Sequence, residues 1–223
     1  MKKNHLKRLA CSLIALSTLC SNSVTQATVV YQNTTGDLVT FLNSGLAEVG
    51  DEIVLAPGGR TLTNFTFQYS LTASSGNETV RLRFYNNNGP AFNGFASPGT
   101  NFFDSGAFNI SGFGVGAHTL IYDSDFGAGL TLPDRFTWSV QFAGIGVGET
   151  AGPDLFNPVT VGTNLNDYWD NGTNGWTLRS NPDPINNPIN FAAIAQVVPE
   201  PSTVALGMIG CVTLWTLRRR NRR

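Results

Sequence analysis

The chain has 223 residues and a formal net charge of −1, with 14 basic and 15 acidic residues. The charges are unevenly placed, because residues 28–198 keep five arginines against fourteen acids, a net charge of about −9. Such an acidic segment repels phosphate backbones, which argues against nucleic acid as a partner. All three cysteines lie outside it, which excludes a disulfide and a cysteine-based zinc site or nucleophile within it.

Residues 1–27 have the pattern of a secretory signal peptide. Basic residues from Lys2 to Arg8 precede an apolar stretch over Leu9–Leu19, and small residues at Thr25 and Ala27 suit cleavage by signal peptidase. The apolar stretch is shorter than the ~20 residues that span a bilayer. We therefore expect export through the Sec machinery and removal of this segment.

Residues 28–196 predict an all-β ectodomain. Large apolar and polar residues alternate over Phe65–Leu71, Val80–Tyr85 and Arg135–Phe142, which places the apolar side chains on one sheet face. Clusters of Gly, Asn and Pro separate such runs, a spacing typical of antiparallel sandwiches. We expect an antiparallel, jelly-roll-like β-sandwich, with a short helix or turn at Leu38–Ala47.

One short loop has part of a calcium-binding pattern. Asp123 and Asp125 alternate before Gly127, and several loop carboxylates can supply the oxygens that calcium prefers. A third acid and a closing glutamate are missing, which excludes an EF-hand. A sandwich-type calcium site at Asp123 and Asp125 stays a hypothesis beside a simple turn, and we expect no other cofactor.

A second segment combines aromatic and amide side chains. Tyr168, Trp169 and Trp176 lie among asparagines and aspartates, and such rings stack on the C–H faces of sugars while amides bind hydroxyls. This predicts a lectin-like contact with extracellular polysaccharide. The alternative is that the rings belong to the core, where aromatic residues are common.

Enzymatic chemistry has little support in the sequence. His118 is the only histidine between residues 28 and 223, and no Gly-x-Ser-x-Gly motif is present. The abundant acids leave paired-carboxylate glycoside hydrolysis as an alternative. We expect a protein that is not an enzyme.

The C-terminal residues 197–223 combine three distinct parts. Pro199-Glu200-Pro201 is held extended by its prolines, an apolar segment follows at about 202–217, and basic residues close the chain. The apolar segment predicts one transmembrane helix. Arginines beyond it stop transfer and stay cytoplasmic, which places the ectodomain outside; they are Arg218, Arg219, Arg220, Arg222 and Arg223.

This order of parts resembles the PEP-CTERM sorting region, which is also catalogued as the ice-binding protein C-terminal domain. The resemblance implies recognition by an exosortase, a transient stage in the inner membrane, and transfer to the cell surface or extracellular matrix of a bacterium. A plain type I membrane anchor is the alternative. We expect a non-enzymatic exported surface or matrix protein; the other readings are a carbohydrate-binding module and, with less support, a secreted glycoside hydrolase.

Overall fold

A computed structural model describes residues 27–123, 126, 129–180, 188–199, 215 and 218. Between residues 27 and 199 the described chain forms strands, turns and one 3₁₀ turn at Ser111–Phe113. The strands are β1 (Thr28–Asn33), β2 (Asp37–Phe41), β3 (Glu48–Val54), β4 (Thr61–Leu71), β5 (Thr79–Tyr85), β6 (Ala91–Phe92), β7 (Phe95–Ala96), β8 (Asn101–Asn109), β9 (Gly116–Tyr122), β10 (Leu130–Thr131), β11 (Arg135–Ala143), β12 (Ala151–Phe156), β13 (Thr163–Asn164), β14 (Asp167–Gly172), β15 (Gly175–Ser180) and β16 (Ala193–Val197).

The strands form two large antiparallel sheets. The first sheet has the order β1-β16-β4-β12-β2, with β9 and β10 also paired to β4. The second sheet has the order β15-β14-β3-β11-β5-β8, with β13 paired to β3. A small hairpin of β6 and β7 stands apart from both. The prediction of an antiparallel all-β protein is therefore confirmed.

An aromatic core joins the two sheets. Phe65 of the first sheet lies with its ring centroid 4.9 Å from Phe84 and 5.2 Å from Trp138, both of the second sheet. The alternating apolar residues of β4, β5 and β11 are buried as their period of two predicts. Burial of such rings is the main favourable term in the fold.

Residues 38–47 depart from the sequence expectation. The segment was expected to be a short helix or turn, but it opens with strand β2 at Asp37–Phe41 and then turns through Gly45. Phe41 pairs with Asp154 of β12, which gives this part of the chain a ladder partner. Long-range pairing has overridden a weak local preference here.

The two predicted targeting segments fall largely outside the described residues. Ala27 alone represents the predicted signal peptide 1–27, and the tail beyond Pro199 is represented by Trp215 and Arg218, both helical. The predicted membrane helix at 202–217 otherwise lies outside the described residues. Among the described residues, the structure contains no helix with the length and apolar character needed to span a membrane.

Candidate functional site

The outward side of the second sheet carries a dense polar and aromatic cluster, which we call the polar face. Strand register places on one side the residues that alternate with the core positions of β3, β5, β11, β14 and β15. Its members are Glu48, Gly50, Glu52, Arg81, Arg83, Tyr85, Arg135, Thr137, Ser139, Gln141, Trp169, Asn171, Trp176 and Leu178.

The polar face is curved. Tyr85 and Trp176 lie on β5 and β15, four strand steps apart, which in a flat sheet is roughly 19 Å. Their ring centroids are nevertheless only 5.4 Å apart, with the rings edge to face. The sheet must therefore bend so that the β14–β15 hairpin approaches β5 over this face.

The curvature buries polar residues that an open sheet would leave in water. Thr137 and Ser139 alternate with the core positions of β11, and both are fully buried. Gly50 lies opposite Ser139 across the ladder, where a Cβ would come within 2.7 Å of the Thr137 side chain. The absence of a side chain at Gly50 allows this close packing.

Glu48 is the hub of the polar face. The Tyr85 hydroxyl and the Ser139 hydroxyl donate to its Oε1 at 3.0 and 2.6 Å. The Asn171 amide donates to Oε2 at 3.1 Å, and the Arg83 guanidinium lies 2.8 Å from the same oxygen. One buried carboxylate thus fixes side chains from β5, β11 and β14 in a single arrangement.

Glu52 forms a second centre farther along β3. Arg135 Nε lies 2.6 Å from its Oε1, and Trp169 Nε1 donates to Oε2 at 3.4 Å. Burial raises the pKa of Glu52, and the positive charge of Arg135 opposes that rise. The arrangement holds guanidinium groups and rings in place rather than presenting a carboxylate to solvent.

The predicted sugar-contact residues divide between the two sides of the sheet. Trp169 and Trp176 lie on the polar face, where Trp169 is fully buried and Trp176 is partly exposed. Tyr168 points to the opposite side, with its ring 6.1 Å from Phe191 in the core. The sequence therefore found two members of the cluster and missed Glu48, Arg83 and Tyr85.

The predicted calcium residues are only partly described. Asp123 is exposed at the end of β9, and Asp125 lies outside the described residues. Among the residues described, no group of three or more His, Cys, Asp or Glu side chains is arranged to hold a metal ion.

His118 is engaged in local contacts. Its Nε2 lies 3.0 Å from the Gly114 carbonyl oxygen, and its ring packs 5.4 Å from that of Tyr69. Ser70 donates a 2.6 Å hydrogen bond to Asp154, and in the described structure no hydrogen bond joins either residue to His118. The three side chains do not form a proton relay of the Ser-His-Asp kind.

Asp154 makes stability depend on pH. Burial raises its pKa from 3.8 to about 6, against the opposing hydrogen bond from Ser70. A raised carboxyl pKa stabilises the folded state most at low pH, and that contribution is lost as pH rises through about 6. We expect Asp154→Asn to flatten the decline in melting temperature between about pH 4 and about pH 6.

Thermal melts of wild type and Asp154→Asn across this range test the prediction. Asp134→Asn is the matched control, because the Asp134 side chain is 83% exposed. Parallel curves for wild type and Asp154→Asn contradict the prediction.

The comparisons with known proteins returned no matches. No protein-family model, curated protein or solved structure matches this chain.

Proposed function

We propose that this chain is an exported, non-enzymatic surface or matrix protein whose jelly-roll-like sandwich is the cargo of a PEP-CTERM sorting region. In this proposal signal peptidase removes residues 1–27 after Sec export. The apolar segment holds the protein transiently in the inner membrane, and an exosortase acts at Pro199-Glu200-Pro201. The domain then passes to the cell surface or extracellular matrix.

The position of the last strand supports the proposal most directly. Strand β16 ends at Val197 between β1 and β4, and the Val198 N–H donates to the Thr61 carbonyl at 2.8 Å. The last of the described strands thus ends three residues before Glu200. Cleavage at or beyond the motif leaves all the described strands in place, as release of a folded domain requires.

Alanine substitution of the motif tests the sorting step. We expect Pro199→Ala, Glu200→Ala and Pro201→Ala together to leave a full-length, membrane-held protein in the native host, because the extended recognition segment is lost. Mass spectrometry of surface and inner-membrane fractions reads the C-terminus directly.

The chain offers a matched control for this experiment. Pro182-Asp183-Pro184 is also an acid between two prolines, and its replacement by alanines should leave processing unchanged. If the wild-type protein is found in the inner membrane with Arg223 still at its C-terminus, the sorting proposal is wrong. The tail is then a plain type I anchor.

Carbohydrate binding is a second candidate, favoured by the curved polar face with its Tyr85–Trp176 ring pair. Binding sites are typically concave, with a few fixed polar groups beside apolar or aromatic surface. Glycoside hydrolysis has less support, since Glu48 and Glu52 are each ion-paired to an arginine.

A further inference from the structure

Arginine side chains reach solvent on the polar face. Two of them are more exposed than the buried glutamates with which they pair: Arg135 is 51% exposed against 3% for Glu52, and Arg83 is 12% against 7% for Glu48. Arg81 is 40% exposed and pairs with Asp104 of β8, which is itself 30% exposed and also pairs with the less exposed Arg83. Three of the five arginines in residues 28–198 therefore lie on this face. Solvent meets guanidinium groups here, although the domain as a whole is acidic.

This arrangement is costly if its only role is stability. Two buried carboxylates lose their hydration, and well-packed apolar side chains often serve a fold equally well. The same network holds donors and rings in fixed positions, which lowers the entropic cost of binding a ligand. The polar face therefore has the properties of a preorganised site.

Arg135 is open to an anion from solvent. Its Nε contacts the buried Glu52, while its side chain remains 51% exposed. A planar guanidinium edge binds a carboxylate through two parallel hydrogen bonds. On the same face by strand register, Trp176 is partly exposed and packs edge to face against Tyr85, so part of an aromatic side chain is available to the C–H face of a sugar.

We propose that the polar face binds a carboxylated polysaccharide, with Arg135 pairing a uronate carboxylate and Trp176 stacking on a sugar ring. The inference deepens the carbohydrate-binding candidate by naming the ligand class, and it rests on the proposed surface role for access to polysaccharide. Binding in solution does not require processing of the tail. If oligogalacturonate does not bind, the sorting proposal is therefore unaffected. If the tail is not processed, the binding proposal can still be tested.

Isothermal titration of the purified full-length protein with oligogalacturonate tests the proposal, and a neutral malto-oligosaccharide of equal length is the reference ligand. We expect binding of the acidic oligomer alone, weakened by added salt because the contact is partly ionic. Arg135→Gln and Trp176→Ala should each weaken it roughly tenfold or more.

Arg179→Gln is the matched control. Arg179 is 55% exposed and paired with Asp170, but it lies on the opposite side of β15 from Trp176. Its loss should change the affinity less than twofold, since the ligand does not reach it. Equal losses for Arg179→Gln and Arg135→Gln would show general charge attraction and overturn the site.

Arg135→Lys separates a loss of binding from a loss of folding, because lysine keeps a positive charge beside Glu52. We expect an unchanged melting temperature and a several-fold weaker affinity, since an ammonium lacks the planar fork. Absence of binding to oligogalacturonate overturns the proposal. Equal affinity for the neutral oligomer, or wild-type affinity in folded Arg135→Lys and Trp176→Ala proteins, overturns it as well.

Discussion

Replacing Trp138 with alanine is expected to lower the free energy of unfolding by about 3–5 kcal/mol. The indole is fully buried at the centre of the aromatic core. Its ring centroid lies 5.2 Å from Phe65, 6.0 Å from Phe67 and 5.8 Å from Phe191. Truncation removes these contacts and leaves a cavity between two sheets that β-ladders prevent from collapsing fully. Chemical denaturation of both proteins measures the difference.

Trp138→Phe is the control for this experiment. Phenylalanine keeps most of the apolar volume, and it removes an Nε1–H that has no hydrogen-bond partner in the described structure. We expect Trp138→Phe to lower the free energy of unfolding clearly less than Trp138→Ala does. A loss below about 1 kcal/mol for Trp138→Ala would contradict the core position of this ring.

Removing the Arg83 guanidinium group is expected to lower the free energy of unfolding by a similar amount, about 3–5 kcal/mol. The change leaves the Glu48 carboxylate buried without its counter-charge. Glu48 is 7% exposed and Arg83 12% exposed, so water cannot readily replace the lost partner. Arg83→Met is the suitable change, since methionine keeps the length of the apolar stem.

A double-mutant cycle separates the charge effect from packing. Glu48→Gln removes the negative charge but retains an acceptor for Tyr85 and Ser139. We therefore expect the Glu48→Gln and Arg83→Met double variant to be more stable than Arg83→Met alone. Strictly additive losses in denaturation experiments would mean that the two charges do not interact.

The alternation of apolar residues made the core predictable. In β4 and β11 every second large side chain faces inward, and Phe65, Phe67 and Trp138 are buried as that pattern requires. The same period shows why Tyr168, Trp169 and Trp176 do not form one set. Adjacent strand residues face opposite sides of a sheet, so Tyr168 and Trp169 necessarily lie on different faces.

The polar face was harder to anticipate because it depends on distant pairings. Glu48 and Arg83 meet only through the register of β3, β11 and β5, and the contact between Tyr85 and Trp176 requires a curved sheet. Local sequence specifies neither. Glu48 and Glu52, placed two residues to either side of Gly50, were the available signal, since they put two charges on one side of β3. Asp51 weakened that signal, because it lies with Val49 and Ile53 on the other side.

The pairing of β1 with β16 has a consequence for the order of folding. Thr28 lies opposite Val197, so the first sheet joins the two extremes of the domain's sequence. Closing a loop of this length is entropically costly, and such topologies fold slowly. The ladder between these strands cannot form until residue 197 is free to pair, so the first sheet is completed only after the whole domain has been synthesised. Under the export route proposed above, the domain would complete this sheet after it has crossed the membrane.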